Sequence, residues 1–322
     1  MLTRDPSMHR ETTYSRVTVG CDPEVVLMKA NGTYMRANNI LTEVDCDAGN
    51  LGWDGAGTPA EFRPTADVCP VRVVQNLFTL FQELKDQYIL PIFAGNGLPD
   101  VPCGGHIHIG ISGSDEVYPG SSGTAQRDLT GLLDTMLTPF SVALSLPVNF
   151  RRGLRDYGGL GDVRGKSYGF EYRTQPSWMR DPKTALFFLR SAKAITMAYL
   201  DENLDIEELI ELGGISPGTY SHKDTAAVKR GMTKLVGKMS EALTSLPYMR
   251  SEAGTESLNH IRELIERGSV WDQVDIQGFW DELDIPKEDP PPLPKLRVMN
   301  SAMWIEADFS DGEYHVIREP LE

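Results

Sequence analysis

Apolar positions set the first expectations. Val17, Val19, Val25, Val26 and Leu27 predict a strand over 16–29, and Asn31-Gly32 predicts a tight turn into a short partner at 33–36. A glycine- and aspartate-rich stretch over 45–57 then leads into a strand-like segment at 58–63. Beyond it the period changes. Val74, Leu77, Phe78, Phe81 and Leu84 recur at helical spacing over 70–87, behind Asp67 and Pro70, which read as an N-cap and a first-turn proline. Strands are predicted at 88–94 and 106–111, the second entered through Gly104-Gly105. A second helix over 125–144 gathers Leu129, Leu132, Leu133, Met136, Leu137 and Phe140 on one face. An arginine- and glycine-rich loop over 149–167 runs into a strand at 168–174, and Asp181-Pro182 opens a helix that ends near residue 200.

The pattern from 201 to 283 is helical, with breaks at Gly213-Gly214 and near Gly254. The run PKEDPPPLP over 286–294 reads as a stiff extended linker, and 296–307 and 313–318, joined by Asp311-Gly312, as a terminal hairpin. This divides the chain into a mixed core at 14–200, a helical region at 201–285, and a linker with hairpin at 286–322. The class is α+β: an antiparallel sheet of five or six strands backed by the helices at 70–87, 125–144 and 182–200.

Composition narrows the picture. Of 322 residues, 40% are hydrophobic and 24% charged, the balance of an ordinary globular protein. No run approaches the roughly 18 to 20 apolar residues of a membrane span, and the first residues carry no apolar stretch of a secretory signal. A cytoplasmic protein without membrane contact is expected. Cys21, Cys46, Cys69 and Cys103 form no CxxC pair, which argues against a zinc knuckle and a disulfide scaffold. The formal charge of −15 argues against nucleic acid as a partner, so any phosphate site must be local.

Four segments share one chemical feature, polar groups two residues apart in strand-like surroundings. They are Asp22 and Glu24 in GCDPEVVL, Glu61 and Arg63 in PAEFRP, His106 and His108 in GGHIHIG, and Glu171 and Arg173 in FEYRT. Successive side chains of a strand alternate faces, so each pair projects from one side while the other side stays apolar. In one antiparallel sheet, the four pairs would pave a single face with carboxylates, imidazoles and guanidinium groups. Clustered carboxylates repel one another, and divalent cations relieve them; oxygen ligands with a histidine suit Mg2+ or Mn2+. Arginines instead fit phosphate oxygens, and Arg151, Arg152, Arg155, Arg164 and Arg173 crowd one stretch of this acidic chain. Each element also has an ordinary explanation. A lone Glu-x-Arg is usually a surface ion pair, paired histidines can be satisfied core imidazoles, and an arginine loop can be a solvated face. His9, His222, His260 and His315 read as surface residues.

Taken in order, GCDPE, DGAG, PAEFRP, GGHIHIG, RRGLRDYGGLGDVR and YGFEYRTQPSW resemble the phage-type carboxylate-amine ligases, or amidoligases, of the glutamine synthetase-like group. The resemblance covers 17–178. It implies a curved, glutamine synthetase-like sheet and an ATP-dependent ligase that makes an amide, peptide or isopeptide bond through an acyl phosphate. It further implies that Glu24, Glu61, His106 and Glu171 hold Mg2+, with Mn2+ an acceptable substitute. His108, Arg164 and Arg173 would contact the nucleotide phosphates. Arg151 or Arg152 would bind the carboxylate substrate or the acyl phosphate, with Arg63 and Asp54 bordering the pocket; Asp22 or Asp54 would serve as base. The glycines of YGGLGD would let a loop close over the intermediate.

Two rival readings use the same residues. A metal-dependent amidohydrolase also employs a His-x-His strand, but leaves the arginines without a task. A non-catalytic nucleotide- or peptide-binding protein needs none of the three glutamates. The sequence leaves open the carboxylate and amine, as well as homo-oligomerisation. The phage resemblance points to a component of a bacterial host.

Overall fold

The computed structural model of the protein describes residues 13–55, 57–98, 100–112, 124–145, 158–201, 225–287, 296–300, 303–308 and 315–320. The strands in chain order are β1 Val17–Met28, β2 Tyr34–Met35, β3 Val44–Cys46, β4 Gly49–Trp53, β5 Ala60–Pro64, β6 Ile92–Phe93 and β7 Gly97–Leu98. β8 Val101–Pro102, β9 Gly105–Ile111, β10 Val163–Lys166 and β11 Gly169–Tyr172 follow. The helices are α1 Pro70–Gln87, α2 Thr124–Leu144, α3 Pro182–Leu200, α4 Thr225–Ser245 and α5 Glu252–Glu266.

One antiparallel sheet runs in the order β10-β11-β9-β1-β5-β4-β3, with β2 and β6 also paired to β1. The architecture is α+β, as expected. Alternation sorts the two faces. Val17, Val19, Cys21, Val25 and Leu27 of β1, Ile107 and Ile109 of β9, Phe170 and Tyr172 of β11, and Phe62 of β5 are buried in the main core. That face is covered by α1 and α3, while α2 packs on α3 and on α4. The core extends without a break into Met239 and Leu243 of α4, Ile261 of α5, and Trp271, Ile276 and Trp280.

α3 is the central helix, and almost every residue is buried, including Arg190 and Lys193. A buried ammonium must use its donors. Lys193 Nζ donates to the carbonyls of Tyr14 and Val17, both at 3.0 Å, and of Val68, and lies 3.6 Å from the centroid of the Tyr14 ring. It thereby ties the entry of β1 to the segment before α1. Asp181 caps α3 by accepting from Thr184 N at 2.7 Å, as expected.

Several elements differ from expectation. The strand expected at 88–94 shrinks to β6, and β10 arises inside the predicted arginine loop. The stretch 45–57 contains β3, in part, and β4, which form a hairpin at the sheet edge. Asp67 is not the N-cap of α1. It is drawn into a bridge with Val19, which keeps the chain extended, and its carboxylate accepts from Cys69 N at 2.8 Å while Cys69 takes the cap position. The break expected near Gly254 falls just before it, between the end of α4 at Ser245 and the start of α5 at Glu252, but the helical expectation fails beyond residue 266. There the chain runs irregularly, with Gln273 at φ 61°, into a short 3-10 turn at Gln277–Trp280. The C-terminal segment forms three antiparallel strands, Leu296–Asn300, Met303–Asp308 and His315–Pro320, instead of a two-armed hairpin. Asp311-Gly312 and Gly213-Gly214 lie outside the described residues.

Candidate active site

The face of the sheet turned away from the main core carries the chemistry, and strand pairing sets its layout. Glu24 of β1 stands directly opposite Glu61 of β5; Asp22 is opposite His106 and Gly20 opposite His108 of β9. His108 in turn faces Glu171 of β11, and Glu171 faces Arg164 of β10. Residues opposite one another in an antiparallel pair share a face, so these side chains gather on one face across five strands. Past Glu24 the same face of β1 turns apolar. Val26 and Met28 pack with Val101 and Cys103, closing one end of the site.

The glycines ahead of β9 have defined tasks. A Cβ on Gly104 would stand 2.3 Å from His106 Nε2, so its absence makes room for the imidazole, and the Gly104 N–H donates to Glu24 Oε2. A Cβ on Gly105 would stand 2.4 Å from the Pro176 carbonyl and 2.6 Å from the Trp178 ring, whose Nε1 donates to Gly105 O at 2.8 Å.

Glu24, Glu61, His106 and Glu171 are all buried. Burying carboxylates costs free energy unless they are paired. Glu171 is ringed by three cations, Arg173 Nη1 and Lys166 Nζ at 2.9 Å and Arg164 Nη1 at 3.3 Å, and His106 Nδ1 lies 3.5 Å away. Glu61 pairs with Arg63, which also donates to Asn50 Oδ1 at 2.8 Å and to the Trp53 carbonyl at 3.0 Å. Arg173 is held from behind by Asp162. Its backbone N–H donates to Asp162 O at 2.9 Å, and its Nε lies 3.6 Å from Asp162 Oδ1.

Among the described residues, two groups of ligand atoms emerge. Oxygens of Glu24, Asp54 and Glu61 lie within 4.8 Å of one another, as do ligand atoms of Asp22, His108 and Glu171. In the second group, Asp22 Oδ2 is 3.1 Å from His108 Nε2, and Asp22 Oδ1 is 3.0 Å from His106 Nδ1. Burial pushes the Asp22 carboxyl up, but the two imidazoles more than reverse this and hold it well below the usual carboxylate range. Yet Asp22 Oδ1 and His108 Nε2 are buried atoms with no hydrogen-bond partner among the described residues. Ligand atoms of Asp22 and His108 converging beside the Glu171 carboxylate are what a divalent cation would satisfy, so the donor set fits Mg2+ or Mn2+. His106 stands beside this group, with its Nδ1 between Asp22 and Glu171.

Sequence reasoning overlooked Lys166 and Tyr168. Lys166 is two residues from Arg164, and strand alternation alone puts the two on one side. Arg151 and Arg152 lie outside the described residues, as do His9 and His222. His260 is not a free surface group: its Nε2 lies 3.0 Å from Asp181 Oδ1 at the start of α3.

The model of a family described as phage phiEco32-like COOH.NH2 ligase-type 2 matches residues 19–281, a span that includes every residue of this site. The chain belongs to that family. It is thus a member of a carboxylate-amine ligase family, in agreement with the resemblance carried by the motifs. No curated protein matches it. Among solved structures, one described as "Apo GmaS without ligand" is similar over 81% of this chain and 73% of that chain, at 12% identity and a TM-score of 0.42. Another, described as "Crystal structure of novel glutamine synthase homolog", is similar over 81% and 74%, at 12% identity and a TM-score of 0.36. Likenesses this distant carry no functional argument. Among the described residues, no helix is long and apolar enough to cross a membrane.

Proposed function

We propose that this ligase uses ATP and divalent cations to activate a carboxylate as an acyl phosphate, which an amine then converts to an amide. The observation that carries the reading is the pair of ligand groups on one sheet face, Glu24–Asp54–Glu61 and Asp22–His108–Glu171, bordered by Arg164, Lys166 and Arg173. Cations held there would neutralise phosphate oxygens and hold them in line for transfer.

The side chains divide the remaining work. Arg173, fixed between Glu171 and Asp162, and Arg164, half-exposed at the rim, are suited to grip the transferring phosphoryl group. Arg151 and Arg152 are assigned to the carboxylate substrate or acyl phosphate on the resemblance alone. Arg63, anchored by Asn50 and Trp53, borders the pocket on the Glu61 side. Asp54 is exposed at the mouth of the first group, where it can join a cation or take the amine's proton. In the first step a carboxylate oxygen attacks the terminal phosphorus and ADP leaves. In the second the amine attacks the acyl carbon, phosphate leaves, and one proton passes to a base. No nucleophilic side chain is needed.

The test incubates purified protein with Mg-ATP and pooled carboxylates and amines, reading ADP release and new amides by mass spectrometry. Glu61→Ala and Glu171→Ala should abolish both. Full ADP release by either variant overturns the assignment.

A further inference from the structure

The turn between β10 and β11 sends Tyr168 back onto the sheet. Gly169 follows with φ 153°, where a Cβ would stand 2.0 Å from the Ile109 carbonyl oxygen, so only glycine continues the chain at this point. The Tyr168 hydroxyl consequently lies 2.8 Å from Nδ1 of His108, and the two rings stack with centroids 6.0 Å apart and planes 21° from parallel. The other imidazole nitrogen, Nε2, is the buried atom that no hydrogen bond satisfies. An imidazole with one nitrogen held and the other aimed at carboxylates has its rotation and tautomer set from outside the ligand group.

We propose that Tyr168 is a positioning residue for the divalent cation of the second group: by holding Nδ1 of His108 it presents Nε2, together with Asp22 and Glu171, as a ligand. The inference rests on the reading of the site given above. A hydroxyl suits the task because it both donates and accepts. When Nε2 binds a cation, the ring proton sits on Nδ1 and is donated to the Tyr168 oxygen. When Nε2 carries the proton, the tyrosine O–H donates to Nδ1 instead. The ring is neutral in both tautomers, so Tyr168 serves the loaded and unloaded forms alike, whereas a backbone carbonyl could serve only one.

The test is Mn2+ binding, followed through the EPR signal of free Mn2+ as the full-length protein is titrated. Tyr168→Phe keeps the ring and removes the hydrogen bond. Since Tyr168 is 42% exposed, the variant should fold, which circular dichroism checks. It should weaken one Mn2+ by about tenfold or more, in the range that loss of an outer partner of a metal-bound histidine produces. His108→Ala should weaken the same ion at least as much, and the double variant should bind no more weakly than His108→Ala alone. Wild-type affinity in Tyr168→Phe, alongside loss in His108→Ala, overturns the role of Tyr168 and leaves the site reading intact. An equal loss on adding Tyr168→Phe to His108→Ala also overturns it, because Tyr168 would then act without His108. A wild-type protein that takes up no Mn2+ overturns both.

Discussion

Asp134 provides the sharpest test of the electrostatics behind the site. It projects from α2, is buried, and accepts from Tyr172 Oη at 2.7 Å and from Gly161 N at 2.6 Å. Tyr172 sits between Glu171 and Arg173, and Gly161 precedes Asp162, so this carboxylate pins both the strand and the loop that orient Arg173. Burial pushes its pKa up, the hydrogen bonds from Tyr172, Thr174 and Gly161 lower it, and the charge of Asp162 raises it, leaving it at about 6 against an ordinary 3.8. The displacement corresponds to roughly 3 kcal/mol. The folded pKa lies above the unfolded one, so the proton favours the folded state. That contribution is complete below about pH 4 and is lost as pH rises through 6. Asp134→Asn removes the titration. The stability of the wild type minus that of the variant should therefore fall by about 2.4 kcal/mol between pH 4 and pH 7, with the variant gaining as pH rises. Urea unfolding followed by the fluorescence of the buried Trp178, Trp271 and Trp280 measures it, and comparing the two proteins at each pH cancels groups they share. A difference that does not change with pH, or that grows, refutes the reasoning. An asparagine offers one acceptor oxygen where the carboxylate offers two, so ADP release should fall in the variant even where stability rises.

Other substitutions probe different links. Lys193→Met leaves the carbonyls of Tyr14, Val17 and Val68 buried without their donor and should cost about 3 kcal/mol or more in urea unfolding at pH 7. Gly169→Ala places a Cβ against the Ile109 carbonyl at φ 153° and should cost about 2 kcal/mol, seen as a lowered Tm. Arg173→Lys keeps the charge beside Glu171 but loses the planar fork. Ligase turnover should drop about tenfold or more with little change in Tm.

The sheet was legible because its strands are amphipathic in the simplest way. Val17, Val19, Cys21, Val25 and Leu27 go to the core while Asp22 and Glu24 go to the site, and the same alternation marks β9 and β11. What escaped reading had one polar face too many. β10 puts Arg164 and Lys166 into the site and leaves only Val163 to pack, so its residues look like loop. The β3–β4 hairpin hides behind glycines and aspartates for the same reason. Beyond residue 266 the opposite error occurs. Trp271, Ile276 and Trp280 are spaced almost as on a helix and all are buried, but Gly268 and Gln273 at positive φ turn the chain too often for one to form. Tyr168 could not be found from pattern, since its partner His108 is reached only through a turn.

Because site residues meet across paired strands, a single inserted residue within β9 would exchange His106 and His108 for isoleucines and drive both imidazoles into the interior. Length changes are therefore barred from the strands that do the chemistry. They remain open at the outer edge, where β3 ends the sheet and Glu43 is exposed. Changes in length are thus confined to that border, while the interior rows keep their register.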